Sequence, residues 1–320
     1  MPTEFEIIRR YFTHPAPHAV LGVGDDAALV KVAKGMELVV STDMLISGTH
    51  FFSDADPYKL GHKALAVNLS DMAAMGATPR WATLSLAMPE ADEKWLKPFA
   101  KGFMDLARAQ RVDLIGGDTA RGPLNICVQV MGEVPAGKAL RRDGAKPGDE
   151  IWVSGQLGDA TLALAHLQNR IHLEAQEAQA CLNKLHTPNA RVALGQHLLG
   201  LAHSAIDISD GLLADLGHIL ECSSVAAVIE FTALPKSAVL QKYLKHDAAL
   251  HALLAGGDDY ELCFTAPKKN SVELAKLSRK LKLPLTRIGS IKKGRGLTLL
   301  DAAGKRMGIA CNTKGFDHFG

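Results

Sequence analysis

Apolar positions along the chain switch repeatedly between helical spacing and strand-like runs. Residues 4–12 predict a short helix. Residues 27–32 and 37–42 are apolar and β-branched with Gly35 between them, which predicts two adjacent strands. Leu60, Ala64, Val67, Met72 and Met75 recur at helical spacing over 57–75, and Gly76 is a natural stop. A strand over 81–88 and an amphipathic helix over 92–110 follow. A short apolar run, Leu114-Ile115, ends in Gly116-Gly117, and 124–134 is a long strand with some alternation. The second half predicts strands over 150–154, 204–208, 225–231, 261–264 and 287–291. Helices are predicted over 159–168, 174–185, 190–201, 211–222 and 272–281. This mixture is α/β throughout, with no short-period repeat.

Residues 135–149 are rich in Gly, Lys, Arg and Pro and poor in apolar side chains, so a domain boundary falls there. A chain of 320 residues is long enough for two domains, at about 150 residues each. They are expected at 1–137 and 138–320. Hydrophobic residues make up 47% but aromatic ones only 5%, so the cores must be built from Ala, Leu, Val and Ile. The 36 basic and 34 acidic residues leave a net charge of +2, which gives nucleic acid or an anionic membrane no electrostatic hold. The Lys-rich stretch 268–282 fits the solvated face of a helix. Glu4, Glu6, Arg9 and Arg10 interrupt what would be a signal-peptide core, and no apolar run reaches membrane-spanning length. The five cysteines are scattered and form no CxxC, which fits a reducing cytoplasm.

The chemistry lies in aspartates placed beside glycine or hydroxyl residues. They are Asp25 and Asp26 after Gly24, Asp43 in Ser41-Thr42-Asp43, Asp71 in Asn68-Leu69-Ser70-Asp71, Asp118 after Gly116-Gly117, and Asp207 and Asp210 in Asp207-Ile208-Ser209-Asp210-Gly211. Any one alone fits a turn or a helix cap. As a set they differ from surface turns, because several directly follow apolar strands, and strand ends are where α/β folds place ligands. Carboxylates gathered at one place repel unless a cation joins them. Oxygen donors without Cys or His select a hard ion, and Mg²⁺ suits a site where phosphates complete the shell. Glycines beside them let backbone N–H groups approach phosphate oxygens. No covalent nucleophile is evident.

Other phosphate and nucleophile motifs fail. Gly22-Val23-Gly24-Asp25-Asp26-Ala27 fits GxGxxA but precedes a strand rather than opening a helix. There is no GxxxxGK[ST], no HRDxxxxN and no GxSxG.

In order and spacing, Gly24-Asp25-Asp26-Ala27, Ser41-Thr42-Asp43, Gly48-Thr49-His50-Phe51, Lys63 through Ala77, Ile115-Gly116-Gly117-Asp118-Thr119, Gly144 through Asp149, Ile206 through Leu212 and Gly256-Gly257-Asp258-Asp259-Tyr260-Glu261-Leu262 resemble the bacterial thiamine-monophosphate kinase family. The match runs to Lys314-Gly315-Phe316-Asp317-His318-Phe319 and covers nearly the whole chain. That family belongs to the aminoimidazole ribonucleotide synthetase-like superfamily. The resemblance implies a two-domain mixed α/β fold. The N-terminal domain would bind ATP and Mg²⁺ and join its strands to a partner's in a dimeric β-barrel, and the C-terminal domain would be α/β. ATP and several Mg²⁺ ions would lie in the cleft between the domains, with thiamine monophosphate as acceptor.

Carried over residue by residue, the resemblance makes Asp26, Ser41, Thr42, Asp43, Asp71, Asp118, Asp207 and Asp210 magnesium ligands. It makes Gly117, Asp118, Arg142 and Ser209 contacts to ATP, and His50, Asp258 and Phe316 contacts to the acceptor. His50 taken alone fits a capping or surface histidine. Asp258 stands where the family usually carries Glu, and Phe316 where a larger polar aromatic is usual; a phenyl ring there can still stack on thiamine. The residues alone leave open another ATP-dependent enzyme of the superfamily, or a non-catalytic magnesium–nucleotide sensor. Selenophosphate chemistry wants a reactive Cys near the N-terminus, and the first cysteine here is Cys127.

Overall fold

The structure is a computed structural model and describes residues 3–308. The chain divides into two compact units, 1–72 with 77–137, and 73–76 with 138–320.

The first unit opens with α1 (Glu4–Ile7), capped by Thr3 and Glu6 in a reciprocal capping box. A π-helical turn, Ile8–Phe12, follows, so the helix expected over 4–12 is α-helical only in its first half. β1 (Ala19–Leu21) and β2 (Leu29–Val30) form a small two-stranded sheet. β3 (Met36–Ile46), α2 (Pro57–Ala74), β4 (Thr78–Met88), α3 (Glu93–Gln110), β5 (Asp113–Arg121) and β6 (Asn125–Pro135) complete the unit. The main sheet runs β3-β6-β4-β5. Thus β2 is shorter than expected and pairs with β1, while the longer β3 finds its partner in β6.

Strand alternation sorts the two faces of this sheet. Ala82, Leu84, Leu86, Val128 and Val130 are buried on one face. On β3 the other face carries Leu38, Val40, Met44 and Ile46, all exposed. α3 folds because Leu96, Phe99, Ala100, Phe103, Met104 and Ala107 fall on one stripe and are buried. Asp92 starts it by accepting the Lys94 amide at 2.8 Å. α2 is apolar on most sides, and Leu65, Leu69 and Met72 are fully buried.

The second unit contains β7 (Asp149–Ser154), α4 (Asp159–Leu167), α5 (Ala175–His186), α6 (Val192–Leu198), β8 (Ser204–Asp207), α7 (Leu212–Ser223) and β9 (Ala226–Glu230). It continues with α8 (Ala238–Tyr243), α9 (Asp247–Ala255), β10 (Leu262–Pro267), α10 (Ser271–Leu281), β11 (Leu285–Lys292) and β12 (Gly296–Leu300). Its six-stranded sheet runs β12-β9-β11-β7-β10-β8 and is antiparallel except between β12 and β9. Ile151, Val153 and Ile206 from the sheet share one core with Leu162, Cys181, Leu216 and Leu253 from α4, α5, α7 and α9. α8, α9 and β12 are absent from the sequence reading. Among the described residues, no helix is long and apolar enough to cross a membrane.

Candidate active site

In the first unit, Ser41 and Asp43 lie two residues apart on β3, so their side chains share the face that α2 covers. Ser41 Oγ donates to Asp71 Oδ2 on α2 at 2.5 Å. One helical turn before Asp71, Asn68 accepts the Asp43 backbone N–H on its Oδ1 at 3.1 Å. Its own amide is turned by donating to the Ala64 carbonyl at 3.0 Å. Residues 30 and 25 positions apart are therefore held in register by two bonds between β3 and α2. Thr42 alternates to the opposite, exposed face, so it would meet a ligand on the Ser41 side through its backbone.

Asp118 sits on β5, opposite Ser85 of β4 in the register that continues to Cys127 of β6 and Met44 of β3. Three strand spacings separate it from β3, roughly 14 Å. Gly116, Gly117 and Asp118 were expected just past a strand end. They lie inside β5 instead, because the parallel pairing with β4 runs on to Arg121. Gly117 explains how glycine enters a strand. Its φ is +150°, and a Cβ there would lie 1.9 Å from the Leu84 carbonyl oxygen. Gly117→Ala is expected to push β5 off β4 beside Asp118. It should lower stability by roughly 1–3 kcal/mol, readable by thermal melting.

Asp26 lies in the loop between β1 and β2, where its N–H donates to Asp25 Oδ1 at 2.8 Å. His50 accepts the Ile46 N–H on Nδ1 at 3.0 Å, closing the turn after β3. Its Nδ1 is thus a turn cap.

In the second unit, Asp207 ends β8 and is buried, paired across the ladder with Leu262 of β10. The ladder continues past both strands. Ile208 N–H donates to the Glu261 carbonyl at 2.8 Å, Tyr260 N–H to Ile208 at 2.9 Å, and Asp258 N–H to Ser209 at 2.9 Å. Gly257 permits this closeness, since a Cβ there would stand 2.2 Å from the Ser209 carbonyl oxygen. Ser209, proposed for ATP, and Asp258, proposed for the acceptor, are therefore neighbours on one strip. Arg142 is exposed on a 3-10 turn whose carbonyl accepts from Ser223 Oγ at 2.7 Å. Phe316 lies outside the described residues.

Asp215 was not singled out from sequence, yet it shapes this region. Its Oδ2 accepts the amides of Ser209, Asp210 and Gly211 at 3.1, 3.1 and 3.0 Å. Burial, aided by the nearby Asp210 charge, pushes its carboxyl up to about 7 against the pull of those amides. The sequence signal for it is an acidic residue in the first turn of an apolar helix, four residues after Gly211. Asp259 is pushed well above the usual carboxylate range by withdrawal from water, although both its oxygens lie 2.9 Å from Gly158 N–H.

Among the described residues, no three His, Cys, Asp or Glu side chains converge as a metal-holding group. What the fold brings together within the first unit is the pair Ser41–Asp71, with Asp43 on the same strand face. These are hard oxygen donors without Cys or His, the kind that fits Mg²⁺ rather than a softer ion.

Residues 24–134 match the AIR synthase related protein N-terminal domain and residues 146–302 its C-terminal domain, which defines the class of the molecule. Thiamine-monophosphate kinase of Escherichia coli (strain K12) is 44% identical, covering 99% of this chain and 98% of its own. The Bacillus subtilis (strain 168) enzyme of the same name is 32% identical, covering 99% of each. The chain belongs to the thiamine-monophosphate kinase family. The crystal structure of thiamine-monophosphate kinase from Stenotrophomonas maltophilia K279a superposes with a TM-score of 0.85 at 47% identity, over 91% of this chain and 93% of that one. AaThiL complexed with AMPPCP and TMP gives 0.78 at 32% identity, over 93% and 92%.

Proposed function

We propose that this protein transfers the γ-phosphoryl group of ATP to thiamine monophosphate, with Mg²⁺ as the required ion. The observation that carries the reading is the Ser41–Asp71 contact, which places two hard oxygen donors together 30 residues apart in sequence. The family membership, and the related complex with an ATP analogue and TMP, supply the acceptor.

The acceptor phosphate is its own nucleophile. With a second pKa near 6 it is mostly dianionic at neutral pH and needs no general base. One of its oxygens forms the new bond to the γ-phosphorus in line, while the bond to the β–γ bridging oxygen breaks and ADP leaves with that electron pair. The chain's task is to hold two polyanions together. Asp26, Ser41, Thr42, Asp43, Asp71, Asp118, Asp207 and Asp210 would hold Mg²⁺. When bound, the ion supplies charge neutralisation on the phosphates. Gly117, Asp118 and Ser209 would contact the nucleotide, and Arg142 would add a cation beside it. His50, Asp258 and Phe316 would face the acceptor.

We also propose a homodimer. The face of β3 bearing Leu38, Val40, Met44 and Ile46 is apolar and exposed over an 11-residue strand, and a second copy is a natural cover for it. A cytoplasmic location, where ATP is supplied, goes with this reading.

The test is a coupled ADP-release assay with thiamine monophosphate, with thiamine, or without acceptor, each with and without Mg²⁺. Turnover is expected only with the monophosphate and Mg²⁺ together. Equal ADP release with unphosphorylated thiamine, or full activity in excess chelator, would defeat the reading.

A further inference from the structure

Six non-glycine residues among those described have a positive φ. Arg111, Ser224 and Lys282 are left-handed C-caps of α3, α7 and α10, and Asn169 directly follows the C-cap of α4. That is the ordinary place for such geometry. Asp258 at 66° and Tyr260 at 49° are different. They lie beyond Gly256, which already closes α9 in extended geometry. Aspartate tolerates the left-handed region, but a bulky side chain such as that of Tyr260 is strained there, and strain of this kind persists only where the surroundings enforce it.

The enforcing contacts are on both sides. The amides of Asp258 and Tyr260 are tied to the carbonyls of Ser209 and Ile208. Asp259 between them is fixed to the amide of Gly158. Glu261 beyond them is anchored to Arg191 and Ser154. With the backbone so held, the side chains of Asp258 and Tyr260 meet. The buried Tyr260 donates its hydroxyl to Asp258 Oδ1 at 2.9 Å.

We propose that Tyr260 is a positioning residue for the acceptor: its hydroxyl fixes the carboxylate of Asp258 against the cationic, amine-bearing organic end of thiamine monophosphate. This rests on Asp258 being an acceptor contact. A carboxylate's terminal torsion is broad, so an aspartate facing a ligand samples many orientations. A hydroxyl bond to an ionised carboxylate is among the stronger hydrogen bonds and selects one of them. Tyr260 acts through Asp258 and makes no demand on the nucleotide.

Tyr260→Phe removes only the hydroxyl and keeps the buried ring. In the full-length protein it is expected to raise the KM for thiamine monophosphate by about 5- to 20-fold. The KM for ATP should stay within about 2-fold, with an unchanged melting temperature. In an Asp258→Asn background the same substitution should add almost nothing, because the group it orients has lost its charge. An unchanged KM for thiamine monophosphate in Tyr260→Phe, beside a raised one in Asp258→Asn, overturns the proposal. So do additive effects of the two substitutions, or a rise in both KM values together with a fall in melting temperature. The underlying reading fails differently. Wild-type protein would then show no turnover dependent on thiamine monophosphate, or Asp258→Asn would leave that KM unchanged. Either result also withdraws the role of Tyr260, without Tyr260 having been altered.

Discussion

Asp71→Asn should give a folded protein whose turnover with thiamine monophosphate is lower by at least about 10³-fold, some 4 kcal/mol of transition-state stabilisation. The substitution keeps an oxygen where Ser41 Oγ donates at 2.5 Å, so the bond that holds β3 to α2 survives. It removes one negative charge from a region that would hold several carboxylates, and that change does not threaten the fold. What is lost is a charged hard donor for Mg²⁺, and an amide oxygen is a weaker one. The concentration of Mg²⁺ needed for half-maximal rate should therefore rise as the rate falls. The measurements are a Mg²⁺ titration of the initial rate and a melting curve. Near-normal turnover by a stable Asp71→Asn protein would remove Asp71 from the metal site.

Arg191→Ala should produce the largest loss of stability, about 3–5 kcal/mol in the second unit. Glu261 is almost fully buried, and its two oxygens face the guanidinium fork of Arg191, with Nε at 2.6 Å from Oε2. Ser154 Oγ also donates to Oε2, at 2.5 Å, and accepts the Leu262 amide at 2.9 Å. Removing Arg191 leaves a buried carboxylate without its cation, which costs far more than the pair itself contributes. Arg191→Met with Glu261→Gln should recover most of the loss, because both charges leave together. Urea unfolding of the single and double variants separates the cases. A single variant as stable as wild type, or a double variant as weak as the single, would contradict this account.

The regular elements with strong periodicity were legible from sequence. α3 shows its apolar stripe, and the aspartates stand in recognisable settings beside Gly or Ser. What sequence could not supply is which of them meet. Ser41 and Asp71 touch because β3 and α2 pack in one register, and that register depends on Asn68, an ordinary polar residue in an apolar run. Gly116-Gly117 looked like a strand end because glycine weakens strands. The neighbouring Leu84 carbonyl comes so close that only glycine fits, and the strand runs on. α8 and α9 were missed because they are short and depend on the local caps of Ser237 and His246 rather than on periodicity. Left-handed Asp258 and Tyr260 carry no sequence signal, since their conformation is imposed by the segment opposite.

The strip joining Ser209 to Asp258 also sets where this chain can change length. The amides of Asp258, Tyr260 and Ile208 each have an assigned partner on the facing segment. One extra residue between Gly257 and Leu262 would shift every later pairing and turn each side chain to the wrong side. The turn between β11 and β12 has no such constraint, as Lys293, Gly294 and Arg295 are exposed there. A linker, tag or inserted peptide belongs in that turn, and single-residue insertions in homologous chains should accumulate there and be absent from 257–261.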